Sequence, residues 1–176
     1  MKNQKAVRWL FFISGALTLL ICAVMNLWLI PAIESSTRGI RCFDMNLFYS
    51  PYTARQFLSY LSEEGRTVYL TRQLPLDFFY PVAYTTFFSL AIRFAARKKT
   101  ALSFLPLLLA VFDYGENICI LRMLTVQSFS DSLAVTGSVF TTAKNVAMYG
   151  CIILILVLLV RYLLIRRKER KSRMNG

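Results

Sequence analysis

Four stretches of the chain run apolar with little interruption, and the polar residues between them gather in clusters. A helix needs roughly 20 apolar residues to cross a hydrocarbon core about 30 Å thick. Residues 9–30, 75–92, 101–121 and 137–161 meet that length or come close to it. The pattern therefore predicts an all-α protein, a four-helix transmembrane bundle. Pro31 closes the first span, and Pro75 suits the first turn of the second. Trp9 and Trp28 lie near the two ends of the first span, where aromatic residues anchor helices at the interface. The segment between spans one and two is too long for an unstructured connection. At residues 50–73 it carries helix signals: Thr53 and Gln56 fit a capping box, Phe57, Leu58 and Leu61 share a face, and Gly65 suits a stop. These predict an amphipathic helix at the outer surface, as a cap on the bundle or a lid over it.

Composition agrees with this pattern. Hydrophobic residues make up 56% of the 176, against about 45–50% in soluble domains. Only 17% are charged, too few to clothe a soluble core of this size. The net charge of +12 would suggest nucleic acid in a soluble protein, but its placement argues otherwise. Fourteen of the 21 basic residues precede span one, separate spans two and three, or follow span four, accompanied by Glu169 alone among the acids. The outer segment, by contrast, is balanced. The positive-inside rule then puts both termini in the cytoplasm, in a multi-pass protein of the plasma membrane with a basic tail at residues 161–176. That tail favours anionic lipid head groups as its partner, with no role for nucleic acid. The first apolar run exceeds the length of a signal-peptide core and lacks an A-x-A site, so it reads as a retained span.

Histidine is absent, which removes imidazole metal sites and His-activated nucleophiles. The four cysteines show no C-x-x-C spacing, and Cys22, Cys119 and Cys151 fall inside spans. Neither a metal nor a cofactor is expected.

The informative residues are the polar ones inside spans, because charge there is expensive and normally faces protein or water. Asp77, Tyr80 and Tyr84 form one stripe of the second span. Asp113, Glu116 and Asn117 converge on one face of the third, and Lys144, Asn145 and Tyr149 occupy one arc of the fourth, with Thr141 beside them. Asp77 is 16 residues from Arg93, Glu116 is 16 from Thr100, and Lys144 is 17 from Arg161. At 1.5 Å per residue all three lie about 24–26 Å above the inner boundary, near the outer one. Three carboxylates against one ammonium leave a formal charge of −2 in this layer. Such a layer should hold a proton, bind a cation or admit water. The stripe Ala143, Ala147 and Cys151 suits close helix packing, within the bundle or in a homodimer.

The combination Gly65-Arg66-x-x-Tyr69, Leu76-Asp77-x-x-Tyr80-Pro81-x-x-Tyr84 and Asp113-x-x-Glu116-Asn117 resembles small four-span bacterial membrane proteins known only as hypothetical proteins. The resemblance implies one polar unit and carries no activity with it. Three functions compete. The first is an acidic pocket near the outer leaflet that binds or transports a cation, a proton or a small amphipathic molecule. The second is an accessory or assembly subunit in which the same contacts glue helices together. The third is an enzyme acting on an outer-leaflet lipid or isoprenoid by carboxylate acid–base chemistry. Against the enzyme, no nucleophile or phosphate loop is visible.

Overall fold

In the computed structural model, Pro31 and Pro75 both lie within continuous helices. Helix α1 (Lys2–Val24) passes through a π turn, Met25–Leu29, into α2 (Ile30–Glu34). Helix α4 (Glu63–Val68) passes through a second π turn, Tyr69–Gln73, into α5 (Leu74–Ala96). In each case the widened turn ends just before the residue that precedes the proline. The Ile30 amide donates to the Met25 carbonyl, and the Leu74 amide to the Tyr69 carbonyl. Proline lacks an N–H, and its ring crowds the carbonyl four residues back. A five-residue turn placed there relieves that crowding and lets the helix continue. Pro31 therefore does not close the first helix, which runs on to Glu34.

The structure describes residues 2–96 and 100–174, with side chains at residues 4–96 and 100–167. Residues 97–99 of the expected inner turn, residues 175–176 of the basic tail, and the tail's side chains from 168 onward lie outside the described residues. Every regular element among the described residues is helical. A 3-10 turn, Ala101–Phe104, leads into α6 (Leu105–Thr125), and α7 (Asp131–Met174) is a single helix of 44 residues, about 66 Å long. Helix α5 is the hub and packs against α1, α6 and α7. Close approach matters where α6 meets α7: a Cβ added at Gly115 would lie 2.7 Å from the Phe140 ring.

Among the described residues, three helical stretches are long and apolar enough to cross a membrane: Gln4–Glu34, Ala101–Thr125 and Asp131–Arg167. They are compatible with an integral membrane protein. The expected second span forms as α5 but is not among the three. Asp77, Tyr80, Tyr84, Thr85 and Thr86 lower its hydropathy, and a hub helix can carry them because other helices cover it.

The helical signal expected between the first two spans resolves into two helices rather than one. Ser50, not Thr53, caps α3 (Pro51–Tyr60), its Oγ accepting from the Thr53 amide at 3.1 Å. Ser62 then starts α4, accepting from the Gly65 amide at 3.0 Å. Gly65 is consequently inside a helix and stops nothing. Ser62 followed by Glu63 and Glu64 is a strong N-terminal signature, since the hydroxyl satisfies a free amide and the acids complement the helix dipole.

Residues 35–50 fold against the N-terminal part of α7 and form a cap over that end of the helices. Phe43, Tyr49, Phe57 and Tyr69 are all buried there, with the Phe43 ring 4.8 Å from Phe57 and 4.9 Å from Tyr49. Polar lashings tie this loop to α7. The Tyr49 amide donates to Ser138 Oγ at 2.9 Å, Thr142 donates to the Leu47 carbonyl at 3.1 Å, and Asn145 donates to the Asn46 carbonyl at 3.2 Å.

Candidate functional site

The three helices that carry the polar residues bring them into one buried cluster. Lys144 of α7 forms ion pairs with Glu116 and, at 3.4 Å, with Asp113 Oδ1. Asp113 Oδ2 accepts from the Tyr84 hydroxyl of α5 at 2.7 Å, and Glu116 Oε1 accepts from Thr141 of α7 at 2.6 Å. Glu116 is 0% exposed, Asp113 3% and Asp77 4%, while the Lys144 side chain is 14% exposed. Three side chains from two helices, Lys144 and Thr141 of α7 and Tyr84 of α5, thus converge on the two carboxylates of α6.

Asp77 sits beside this group and is held differently. Its Oδ2 accepts from Gln73 Nε2 at 3.1 Å, one turn earlier on the same helix. Its backbone carbonyl accepts from Asn117 Nδ2 at 3.1 Å. Pro81, four residues on, has no N–H to offer that carbonyl. The amide of Asn117 supplies what the helix cannot, and so welds α6 to α5 at the level of the carboxylates.

A fourth carboxylate comes from the cap. Asp44 lies in the 3-10 turn Phe43–Met45 and accepts from the Tyr69 hydroxyl at 3.1 Å. Its other oxygen, Oδ1, is buried without a hydrogen-bond donor. Burial pushes the Asp44 carboxyl above its ordinary range, the Lys144 charge opposes that shift, and Asp113 adds to it. Next to it, burial and the same acid push the Cys42 thiol up. With Asp44 included, the cluster is four carboxylates against one ammonium, a formal −3. Gln73 Oε1 and Asn117 Oδ1 are also buried acceptors without donors. The cluster is short of protons, not of acceptors.

Other expected members stand apart. The Tyr80 ring meets Tyr84 edge-on at 5.0 Å, on the side of the cluster toward α1. Asn145 is spent on the cap rather than on a carboxylate. Tyr149 is 57% exposed and turns outward from the bundle. Asp77, Asp113 and Glu116 are each packed against a hydrogen-bonding side chain. Among the described residues no three acidic or thiol side chains are grouped so as to hold a metal ion.

Asp44 and Gln73 are members that the sequence reading missed, and Tyr69 entered it only through the resemblance, not as a candidate site residue. Tyr69 and Gln73 extend the Asp77–Tyr80–Tyr84 stripe toward α4, a signal hidden by taking Pro75 as a helix start. Asp44 is flanked by Cys42, Phe43 and Met45, and an acid set among apolar residues in a polar segment was the available clue. No protein-family model, no curated protein and no solved structure matches the chain.

Proposed function

We propose that the chain is a four-span protein of the plasma membrane, with both termini inside, whose outer polar cluster binds a proton and exchanges it with the outer side. The observation that carries this is the imbalance of four carboxylates and one ammonium in a buried layer with unpartnered acceptor oxygens. Charge of one sign in a low-dielectric setting must be neutralised, by a proton or by a cation. A proton suits the packing better than a cation: the acids are grouped around hydrogen-bond donors rather than around a common point. A proton on Asp44 would also turn an unpartnered acceptor into a donor. The cap, lashed to α7 at residues 46, 47 and 49, is the element through which occupancy of Asp44 would reach the rest of the bundle.

A structural reading has its own support. Asp77, Asp113 and Glu116 each accept at least one hydrogen bond from within the bundle, as helix glue requires.

Proton uptake separates the two. The full-length protein in nanodiscs, given an acid pulse and followed with a pH-indicator dye, should take up about one proton more than the Asp44→Asn variant. Equal uptake would leave the structural reading standing. Topology is checked independently by cysteine labelling. Arg41→Cys, at an exposed position, should react with an impermeant maleimide added outside intact cells, whereas buried Cys42 should not react at all. Labelling of residue 41 only after the membrane is opened would refute the orientation.

A further inference from the structure

The geometry points to a second site, distant from the carboxylates, that binds one anionic phospholipid with its head group at Arg93 and an acyl chain along the α1–α5 groove. Two cavities carry it. The first, about 770 Å³, lies where α5 approaches the 3-10 turn before α6, and its polar lining includes Ser89, Arg93, Thr100 and Ser103. The second, about 740 Å³, is a nearly wholly apolar groove between α1 and α5, lined from Leu10 to Val24 on one side and from Thr86 to Leu76 on the other. Leu10 and Thr86 line both cavities, so the polar chamber opens into the apolar groove.

The chamber offers what a phosphate needs. No described carboxylate pairs with Arg93, although this is the end of the helix where a guanidinium would ordinarily meet one or meet solvent. Ser103 Oγ is buried, lines the chamber and has no hydrogen-bond partner. A phosphate oxygen would accept from both, and the guanidinium fork suits its geometry. Charge complementarity therefore selects an anionic head group over a zwitterionic one.

The groove decides between a lipid and a free phosphate. Leu10 to Val24 is 15 residues, or 14 steps of about 1.5 Å, about 21 Å of helix. One leaflet's hydrocarbon is about 15 Å deep, so the groove takes an acyl chain along its whole course. A soluble phosphate would leave it unused. In the orientation proposed above, on which this choice of leaflet rests, Arg93 lies at the inner boundary, so the lipid comes from the inner leaflet.

Native mass spectrometry of the detergent-solubilised full-length protein tests this with phosphatidylglycerol and phosphatidylcholine of matched chains. Phosphatidylglycerol should be retained about tenfold better, the scale of one charge-assisted contact. Arg93→Gln should bring it close to the phosphatidylcholine level, with a smaller loss for phosphatidylcholine, whose phosphate meets the same guanidinium but brings its own cation, and Ser103→Ala should weaken it several-fold. Val82→Trp, at a groove position 61% exposed and so free to accept a larger side chain, should reduce retention of both lipids. Equal retention of the two lipids, or Arg93→Gln without effect, would mean ordinary annular lipid and would overturn the site. Displacement of phosphatidylglycerol by glycerol phosphate as effectively as by more phosphatidylglycerol would make it a free-phosphate site and refute the lipid.

Discussion

Helix α7 buries Ala134, Ser138 and Thr141 in its N-terminal half, the outer half in the proposed orientation, and leaves Leu156, Val157, Val160 and Leu164 exposed in its C-terminal, inner half. The most apolar window of this helix is only 6% buried, against 39% for that of α6. The two halves belong to one helix, but different solvents hold them in place. In the outer half, Thr141 and Lys144 meet the carboxylates of α6, while Ser138, Thr142 and Asn145 hold the cap. In the inner half the surface is suited to lipid and has few protein neighbours. Lipid chains are as apolar as leucine, so burying leucine between helices gains little in a bilayer. The polar outer layer is therefore where specific association of these helices is decided.

The largest way to break that contrast is to remove the one ammonium. Lys144→Met strands Asp113 and Glu116 without their cation, and breaking a buried pair in this way costs about 3–5 kcal/mol. Unfolding in detergent should show most of the protein's stability lost. Tyr84→Phe removes one donor from Asp113 and should cost about 1–2 kcal/mol in the same assay. A pH series sharpens the role of the cap. The folded Asp44 carboxyl lies above its unfolded range near 4, so its contribution is complete below that range and is lost as pH rises through the folded value. Stability should accordingly fall with rising pH across that window, and Asp44→Asn should flatten this part of the profile. The smallest effect belongs to the inner half: Leu156→Ala, 55% exposed, should change stability by less than about 0.5 kcal/mol. A loss like that of Tyr84→Phe would place a protein partner, not lipid, on that face.

The same contrast explains what was legible in the sequence. Helix period and hydropathy located α1, α6 and α7, because lipid-facing helices must be apolar around most of their circumference. They served α5 less well. A hub helix is covered by its neighbours and tolerates Asp77, Tyr80 and Tyr84, so its start was set by Pro75 rather than by any break in periodicity. Local rules failed at the prolines for a related reason. They treat proline as a boundary, whereas a π turn one step earlier removes the clash. The polar stripes on α5, α6 and α7 were readable because each is periodic within its own helix. Asp44 was not, because its place in the cluster depends on how residues 35–50 fold back over the bundle. Tyr149 shows the reverse error: it lies in the right arc for the wheel but a full turn beyond the last residue that meets a carboxylate.

The central claim is that the excess negative charge of the outer cluster is met by a bound proton, with Asp44 as its holder. Infrared titration of the carboxyl stretch in lipid nanodiscs tests it most directly. Wild type should display a protonated carboxyl band that outlasts the ordinary carboxylate range near 4 as pH is raised, and Asp44→Asn should lose that band. Lys144→Met should carry it to still higher pH, since the ammonium opposes the shift. A band that vanishes within the ordinary range, and that Lys144→Met leaves unmoved, would contradict the claim.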